Sequence, residues 1–403
     1  MLSKSNLENV LADWSFWRVP PPESIPRRVL EKPLPLVNDL AIGIQGVRRC
    51  GKSTLLTQIM TRHALDPAHC TFVNLEDPRL SDCLSHELLE EIWNIGRSRA
   101  PFGATSYFLF DEIQAVDQWE KWVHSKLARP STSVIILTGS NSTLLAGDLG
   151  SKLTGRHLTL EVFPFDFAEF RLARKSASFD SYLSAGGFPR ALSFEPAETL
   201  LREYFSDIIE RDVRRHVMAR TSGTLIQLAK AVFEATGSEL SQRKLSTALG
   251  ISVDTAGDYL AACESAYVIL PCPYFSYSER KRLVRNQKYY PIDLGLCRAI
   301  ITKGGADLGK SLKTVVFHEL RRRHKSVSYW RGKGEVDFVV EDSDGIKAYQ
   351  VSWDGMKDRH FKALTEFKEE FPQDIRAISV TRENVEQFLN GDETPINTSS
   401  DRD

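Results

Sequence analysis

One short stretch constrains this chain more than any other: GVRRCGKST, Gly46 to Thr54. Glycine, four residues, glycine, lysine and a hydroxyl residue make a loop whose backbone N–H groups can wrap a phosphate. The helix that follows aims its positive end at the same anion. Lys52 is placed to reach the outer phosphates of a nucleotide, and the Ser53 hydroxyl to sit on Mg²⁺. The binding set is Gly46, Arg48, Arg49, Cys50, Gly51, Lys52, Ser53 and Thr54. Such a loop needs a buried strand before it and a helix after it. LAIGIQ (40–45) reads as the strand, and STLLTQIMTRH (53–63) repeats its apolar residues at helical spacing.

From Leu40 to about Phe165, short apolar runs alternate with helical stretches. That alternation predicts an α/β fold, a parallel sheet with helices on both faces. Upstream, the proline-rich VPPPESIPRRVLEKPLPL (19–36) cannot continue the helical pattern of residues 6–17 and reads as an extended lead-in. A length of 403 residues predicts two or three domains. With 52 basic and 53 acidic residues, net charge carries no information about nucleic acid, so any basic surface must be local. No apolar run is long enough to cross a bilayer, and no membrane partner is expected. The N-terminal residues mix charged and polar types and lack the apolar core of a signal peptide. The six cysteines are scattered without a C-x-x-C pair, which predicts a reduced cytoplasm and no structural zinc.

SYFLFDEIQ (106–114) supplies the second half of a nucleotide site. Asp111, ending a strand beside the loop, can hold Mg²⁺ through water. Glu112 is then placed to polarise an attacking water, since phosphoryl transfer depends mainly on positioning and charge stabilisation. VIILTGSN (134–141) is another strand, expected between the other two, with Ser140 or Asn141 near the outer phosphate. Arg156 is either the arginine that stabilises charge developing on that phosphate or an exposed arginine at a helix end. Arg48 and Arg49 could touch phosphate or a neighbouring subunit. His63, His69 and Cys70 fit no common metal spacing and read as structural.

Taken together, GVRRCGKST, FLFDEIQ, ILTGSN, LTGR with VFPFDFAEF, GGFPR and ERDV resemble a widespread group of AAA+-like, STAND-related P-loop ATPases of bacteria and archaea. The resemblance runs from about residue 25 to 385. It implies ATP as the nucleotide, Mg²⁺ as the metal and a homo-oligomer. It also implies a winged-helix region and a C-terminal domain with a restriction-endonuclease-like core. Under it Lys52, Glu112, Asn141 and Arg156 are the catalytic set, and Ser53 and Asp111 the metal ligands.

The expected division is a helix and lead-in at 1–36, a P-loop domain with helical lid at 37–218 and a winged-helix-like domain at 219–276. A small endonuclease-like α/β domain at 277–390 and a disordered tail at 391–403 complete it. Within 238–269 the rhythm is helix-turn-helix, with Ser241 and Ser252 as caps and Gly250 at the turn. Asp254 and Asp258 give its second helix the wrong sign for DNA, so a packing module is the better reading. Arg280, Lys281, Arg282, Arg285 and Lys288 form a local basic segment, either a phosphate contact or a solvated loop. FHELRRRHK (317–325) and the strands of 328–354 look like the PD-(D/E)XK nuclease core, with Glu319 and Asp337 present. Gln350 and Ser352 stand where that core has a carboxylate and a lysine, so a degenerate core that binds nucleic acid or a partner is expected.

Overall fold

The computed structural model describes residues 3–129, 131–140, 155–219, 221–301 and 307–396. They form two compact units, Met1–Phe163 and Pro164–Asp403.

The first unit is built on a five-stranded sheet in the order β2-β3-β4-β1-β5. Its strands are β1 (Ala41–Gln45), β2 (Cys70–Asn74), β3 (Ser106–Asp111), β4 (Ser133–Gly139) and β5 (His157–Glu161), and every pairing is parallel. Strands β1 and β4 are buried along their whole length, which explains their unbroken apolar runs. Alternate side chains serve opposite faces. Phe108, Phe110, Ile135 and Leu137 join a core with α1 (Lys4–Trp14), α3 (His86–Arg99) and α4 (Trp119–Leu127). Trp93 stacks on Phe108 there at 4.3 Å, and Trp122 meets Phe110 edge-on. Helix α2 (Lys52–Arg62) follows the loop and buries Leu55, Leu56 and Ile59. The exposed edge of β2 is closed by the residues after α1. Ser15 Oγ donates to Phe72 O (2.9 Å) and accepts from Phe72 N (3.0 Å), while Trp17 Nε1 donates to Cys70 O (2.7 Å).

The second unit begins with α5 (Phe167–Ala173), α6 (Phe179–Ala185) and α7 (Ala197–Ile208). Helix α7 runs into a π-helical turn, Ile209–Val213, which holds the ERDV motif. Next come α8 (Gly223–Glu234), β6 (Glu239–Leu240), α9 (Gln242–Leu249), α10 (Val253–Ser265), β7 (Ile269–Cys272), α11 (Glu279–Val284) and β8 (Gln287–Pro291). The strands form an antiparallel sheet in the order β6-β8-β7. Ser241 and Ser252 cap α9 and α10, and Gly250 ends α9 with φ 67°, as the helix-turn-helix rhythm requires. Then follow α12 (Leu294–Ile300), α13 (Leu308–Arg323), β9 (Ser328–Arg331), β10 (Glu335–Asp342), β11 (Gly345–Ser352), α14 (Asp358–Glu370), β12 (Ile375–Thr381) and α15 (Val385–Leu389). Here the order is β12-β11-β10-β9, with β11 and β12 parallel. No helix among the described residues is long and apolar enough to cross a membrane.

The helical stretch expected as a lid of the P-loop domain up to 218 belongs with the second unit, because α6 and α7 pack on α12. A cut at 276 would split the sheet, since β8 lies beyond it and pairs with both β6 and β7. The tail is ordered further than residue 391: Ser379 N donates to Thr394 O (3.0 Å) and Ile396 N to Ala377 O (2.8 Å).

The GGFPR motif has a packing reason. Gly187 N donates to the buried Asp293 carboxylate (2.6 Å), which also accepts from Leu296 N (2.8 Å). A Cβ on Gly187 would lie 2.1 Å from Phe165 O, so backbone approaches backbone where no side chain fits. Gly187→Ala is expected to destabilise the second unit by about 1–3 kcal/mol. Faster amide exchange in 180–190 and 293–300, with strands β1–β5 unaffected, checks this.

Candidate nucleotide site

The GVRRCGKST loop leaves the C-terminal end of β1 and turns into α2, as its spacing predicts. Gly51 at the helix N-cap has φ 100°, a conformation that favours glycine. Gly46 passes so close to Val162 that a Cβ would lie 2.1 Å from its carbonyl oxygen. Lys52 is only 4% exposed, and its ammonium donates to Gly46 O (3.0 Å) and Val47 O (3.2 Å). The charge is thus held inside the turn of the loop. Ser53 and Thr54 are exposed at the start of α2. Arg49 adopts φ 71°, and Arg48 pairs with Glu76 at 3.6 Å. Cys50 packs rather than reacts: its Sγ lies 3.4 Å from Val162 O, and burial pushes its thiol pKa up.

Strand β4 lies between β1 and β3, which brings its tip to the site. Asp111 at the end of β3 is fully buried and accepts from Thr138 Oγ1 (2.5 Å) and Asn74 Nδ2 (3.0 Å). The Ser53 hydroxyl also hydrogen-bonds it. Burial raises the Asp111 carboxyl above its ordinary range and neighbouring Glu112 adds to this, while Thr138, Ser53 and Lys52 act against it. Glu112 is buried with left-handed backbone (φ 55°, ψ 49°). Its N–H donates to Thr138 Oγ1 (2.9 Å), and Gln114 Nε2 donates to its carboxylate. The structure therefore brings Lys52, Ser53, Asp111 and Glu112 together. Thr138, Asn74 and Gln114 join them, and sequence reasoning missed all three. The hydroxyl in ILTGSN is the available signal for Thr138; of the two residues expected near the outer phosphate, Ser140 is buried and Asn141 lies outside the described residues.

Arg156 is not brought to this site. Its carbonyl accepts from Ala41 N (3.0 Å), and its Nη1 donates to Leu127 O (3.0 Å). Ala41 opens β1, whose other end carries the loop. Five residues at about 3.3 Å each separate the two by roughly 15 Å. Arg156 thus lies at the base of the sheet, at the end of β1 away from the loop.

No cluster of three or more His, Cys, Asp or Glu side chains that could hold a metal occurs among the described residues, the endonuclease-like region included. The α13 side chain that reaches Asp337 is Lys313, not Glu319: the Lys313 ammonium pairs with one carboxylate oxygen, and Val351 N donates to the other (2.8 Å). Glu319 is instead held by Arg323 (2.8 Å) and Arg322 (3.9 Å). Gln350, at the position lacking a carboxylate, bonds the backbone of β10 through Glu335 O (3.0 Å). The basic segment is also largely compensated. Lys281 pairs with Glu370 (3.3 Å), Arg282 with Glu279, and buried Lys288 with Glu335 (2.6 Å), while Arg285 stacks over Tyr274.

Comparison with known proteins agrees with the class that this sheet and loop define. Residues 38–171 match the family model described as AAA domain. Residues 176–307 and 308–399 match two models described as domains of unknown function, DUF8612 and DUF4143. Residues 38–171 are thus similar to an AAA domain, as the P-loop sheet suggests. An uncharacterized protein of Haemophilus influenzae is 29% identical over 336 residues, 79% of this chain and 83% of the relative. The uncharacterized protein MJ1544 of Methanocaldococcus jannaschii is 29% identical over 375 residues, 86% of this chain and 82% of the relative. Among solved structures, the replication initiator DnaA bound to AMPPCP and single-stranded DNA aligns with 64% of this chain and 86% of its own. That alignment has 13% identity and a TM-score of 0.28.

The Asp111 environment makes a pH-dependent prediction. A carboxyl whose folded pKa lies above its unfolded value of about 3.9 contributes most below that value. The contribution is lost as pH rises through the folded pKa. Asp111→Asn, without nucleotide or Mg²⁺, is therefore expected to unfold several degrees above the unsubstituted protein at pH 7–8. The gain should shrink as pH falls toward 4, and a thermal melt series across that range checks it.

Proposed function

We propose that the first unit hydrolyses ATP with Mg²⁺ and works as a switch or motor for the second. One observation carries the reading: Lys52 and Ser53 at the start of α2 meet Asp111 and Glu112 at the end of β3, beside the loop. Ser53 and Asp111 offer hard oxygen donors already in contact, a set that suits Mg²⁺, which takes few protein groups and keeps its waters. When bound there, Mg²⁺ would neutralise phosphate charge. Lys52 and the loop N–H groups bind and orient the phosphates. Glu112, aimed by Gln114 and by its N–H bond to Thr138, orients the attacking water and accepts its proton. Because Arg156 lies at the far end of β1, the charge-stabilising arginine comes from a second copy of the chain, in keeping with a homo-oligomer. All six thiols are free, which supports a reduced cytoplasm.

Lys52→Ala is expected to abolish tight ATP binding. Glu112→Gln should keep binding and lose turnover by roughly a hundredfold or more. Calorimetry with a non-hydrolysable analogue and a phosphate-release assay check the pair, and full activity in both variants would overturn the site assignment.

Nucleic acid is the coupled partner we propose. Support comes from the helix, short strand, two helices and hairpin of residues 223–291, the order of a winged helix, and from Arg280 on exposed α11. A protein partner is the second reading, favoured by the ion-paired cations and by Leu283 and Val284, 78% and 76% exposed beside them. ATPase rate measured with and without duplex DNA, single-stranded DNA and RNA at low salt separates the two. Stimulation that Arg280→Ala weakens, with the salt slope reduced by about one, supports nucleic acid; indifference to all three supports a protein.

A further inference from the structure

The proline-rich lead-in contains a residue that the nucleotide chemistry leaves unused. Arg27 is only 7% exposed although it lies in an irregular segment. Its Nη1 donates to Cys50 O (2.9 Å) and its Nη2 to Phe163 O (2.6 Å). Gln58 on α2 bolts the segment in place: it accepts from Arg27 N (3.1 Å) and donates to Ile25 O (2.6 Å) and Ser24 Oγ (2.8 Å).

The two carbonyls held by this guanidinium have different duties. Cys50 immediately precedes Gly51, Lys52 and Ser53, so its peptide sets the direction of the loop's last turn. A Cβ on Gly51 would lie 3.3 Å from Arg27 Nη1, which places the guanidinium against that turn. Phe163 is the last residue of the first unit, and Pro164 opens the second. The neighbouring Val162 carbonyl touches the loop at both ends, 3.4 Å from Cys50 Sγ and against the Cα of Gly46. A planar fork with fixed donor directions cannot follow one carbonyl without disturbing its bond to the other.

We propose that Arg27 is a positioning residue that ties nucleotide occupancy of the loop to the Phe163–Pro164 junction; this rests on the nucleotide reading above. Phosphates entering the loop draw the Lys52 ammonium away from the Gly46 and Val47 carbonyls, and the last turn readjusts. The guanidinium carries that shift from Cys50 to Phe163, where the chain passes to the second unit. The lead-in thereby serves as a clasp whose removal uncouples binding from the response at the junction.

The test uses the full chain, with the Mg²⁺ complex of a non-hydrolysable ATP analogue as probe. Affinity is read by calorimetry, and exchange of backbone amides in 160–168 by mass spectrometry with and without saturating probe. In the unsubstituted protein the probe is expected to slow exchange at the junction. Arg27→Ala should bind about ten- to a hundredfold more weakly and, once saturated, show no junction response. Arg27→Lys keeps the charge without the fork and should recover part of the affinity but not the response. A normal response in saturated Arg27→Ala overturns the proposal. Should that variant fail to fold, Arg27→Lys decides: a normal response overturns the proposal and a lost response supports it. Tight probe binding with no junction response in the unsubstituted protein sinks this inference alone, whereas no binding at all sinks the nucleotide reading beneath it.

Discussion

The carboxylate of Asp111 is the interaction on which the rest of the first unit depends. It sits fully buried at the tip of β3 and gathers a hydroxyl from β4, an amide from β2 and a hydroxyl from α2. A buried charge survives only where such partners satisfy it. The three elements around the loop are thus aligned by the same atoms that suit a metal. Burial still pushes its carboxyl pKa up, so the ionised site costs stability until a cation arrives.

The second unit contains buried carboxylates with different fates. Asp293 accepts backbone N–H groups from the glycine-rich GGFPR turn and from the start of α12, which makes it a lock between two segments. Asp337 occupies the position that the endonuclease resemblance marks for metal, yet the Lys313 ammonium lies against it. Among the described residues, the buried acidic pair beside the phosphate loop lies in the first unit.

Local patterns made the loop and the DEIQ strand legible, because phosphate binding needs particular residues at particular spacing on consecutive backbone. The same holds for the caps at Ser241 and Ser252 and the turn at Gly250, whose partners lie within a few residues. Arg156 shows where that legibility stops. Its neighbourhood in sequence suggested the outer phosphate, but parallel pairing of β5 with β1 carries it to the opposite end of the sheet. Lys313 is similar: six residues from Glu319 on one helix, it faces Asp337 only because of how α13 lies across β11.

By itself the sequence determined the phosphate loop, the acidic pair that follows β3 and the alternation that demands a parallel sheet, since each depends on neighbours along the chain. Tertiary structure decided which side chains complete the site. Thr138, Asn74 and Gln114 aim the two carboxylates, and Arg27 joins the loop to the end of the unit. The physical reason is distance along the chain. Arg27 and Phe163 are 136 residues apart and Thr138 and Asp111 are 27 apart, and no spacing rule reports that such groups will share a hydrogen bond.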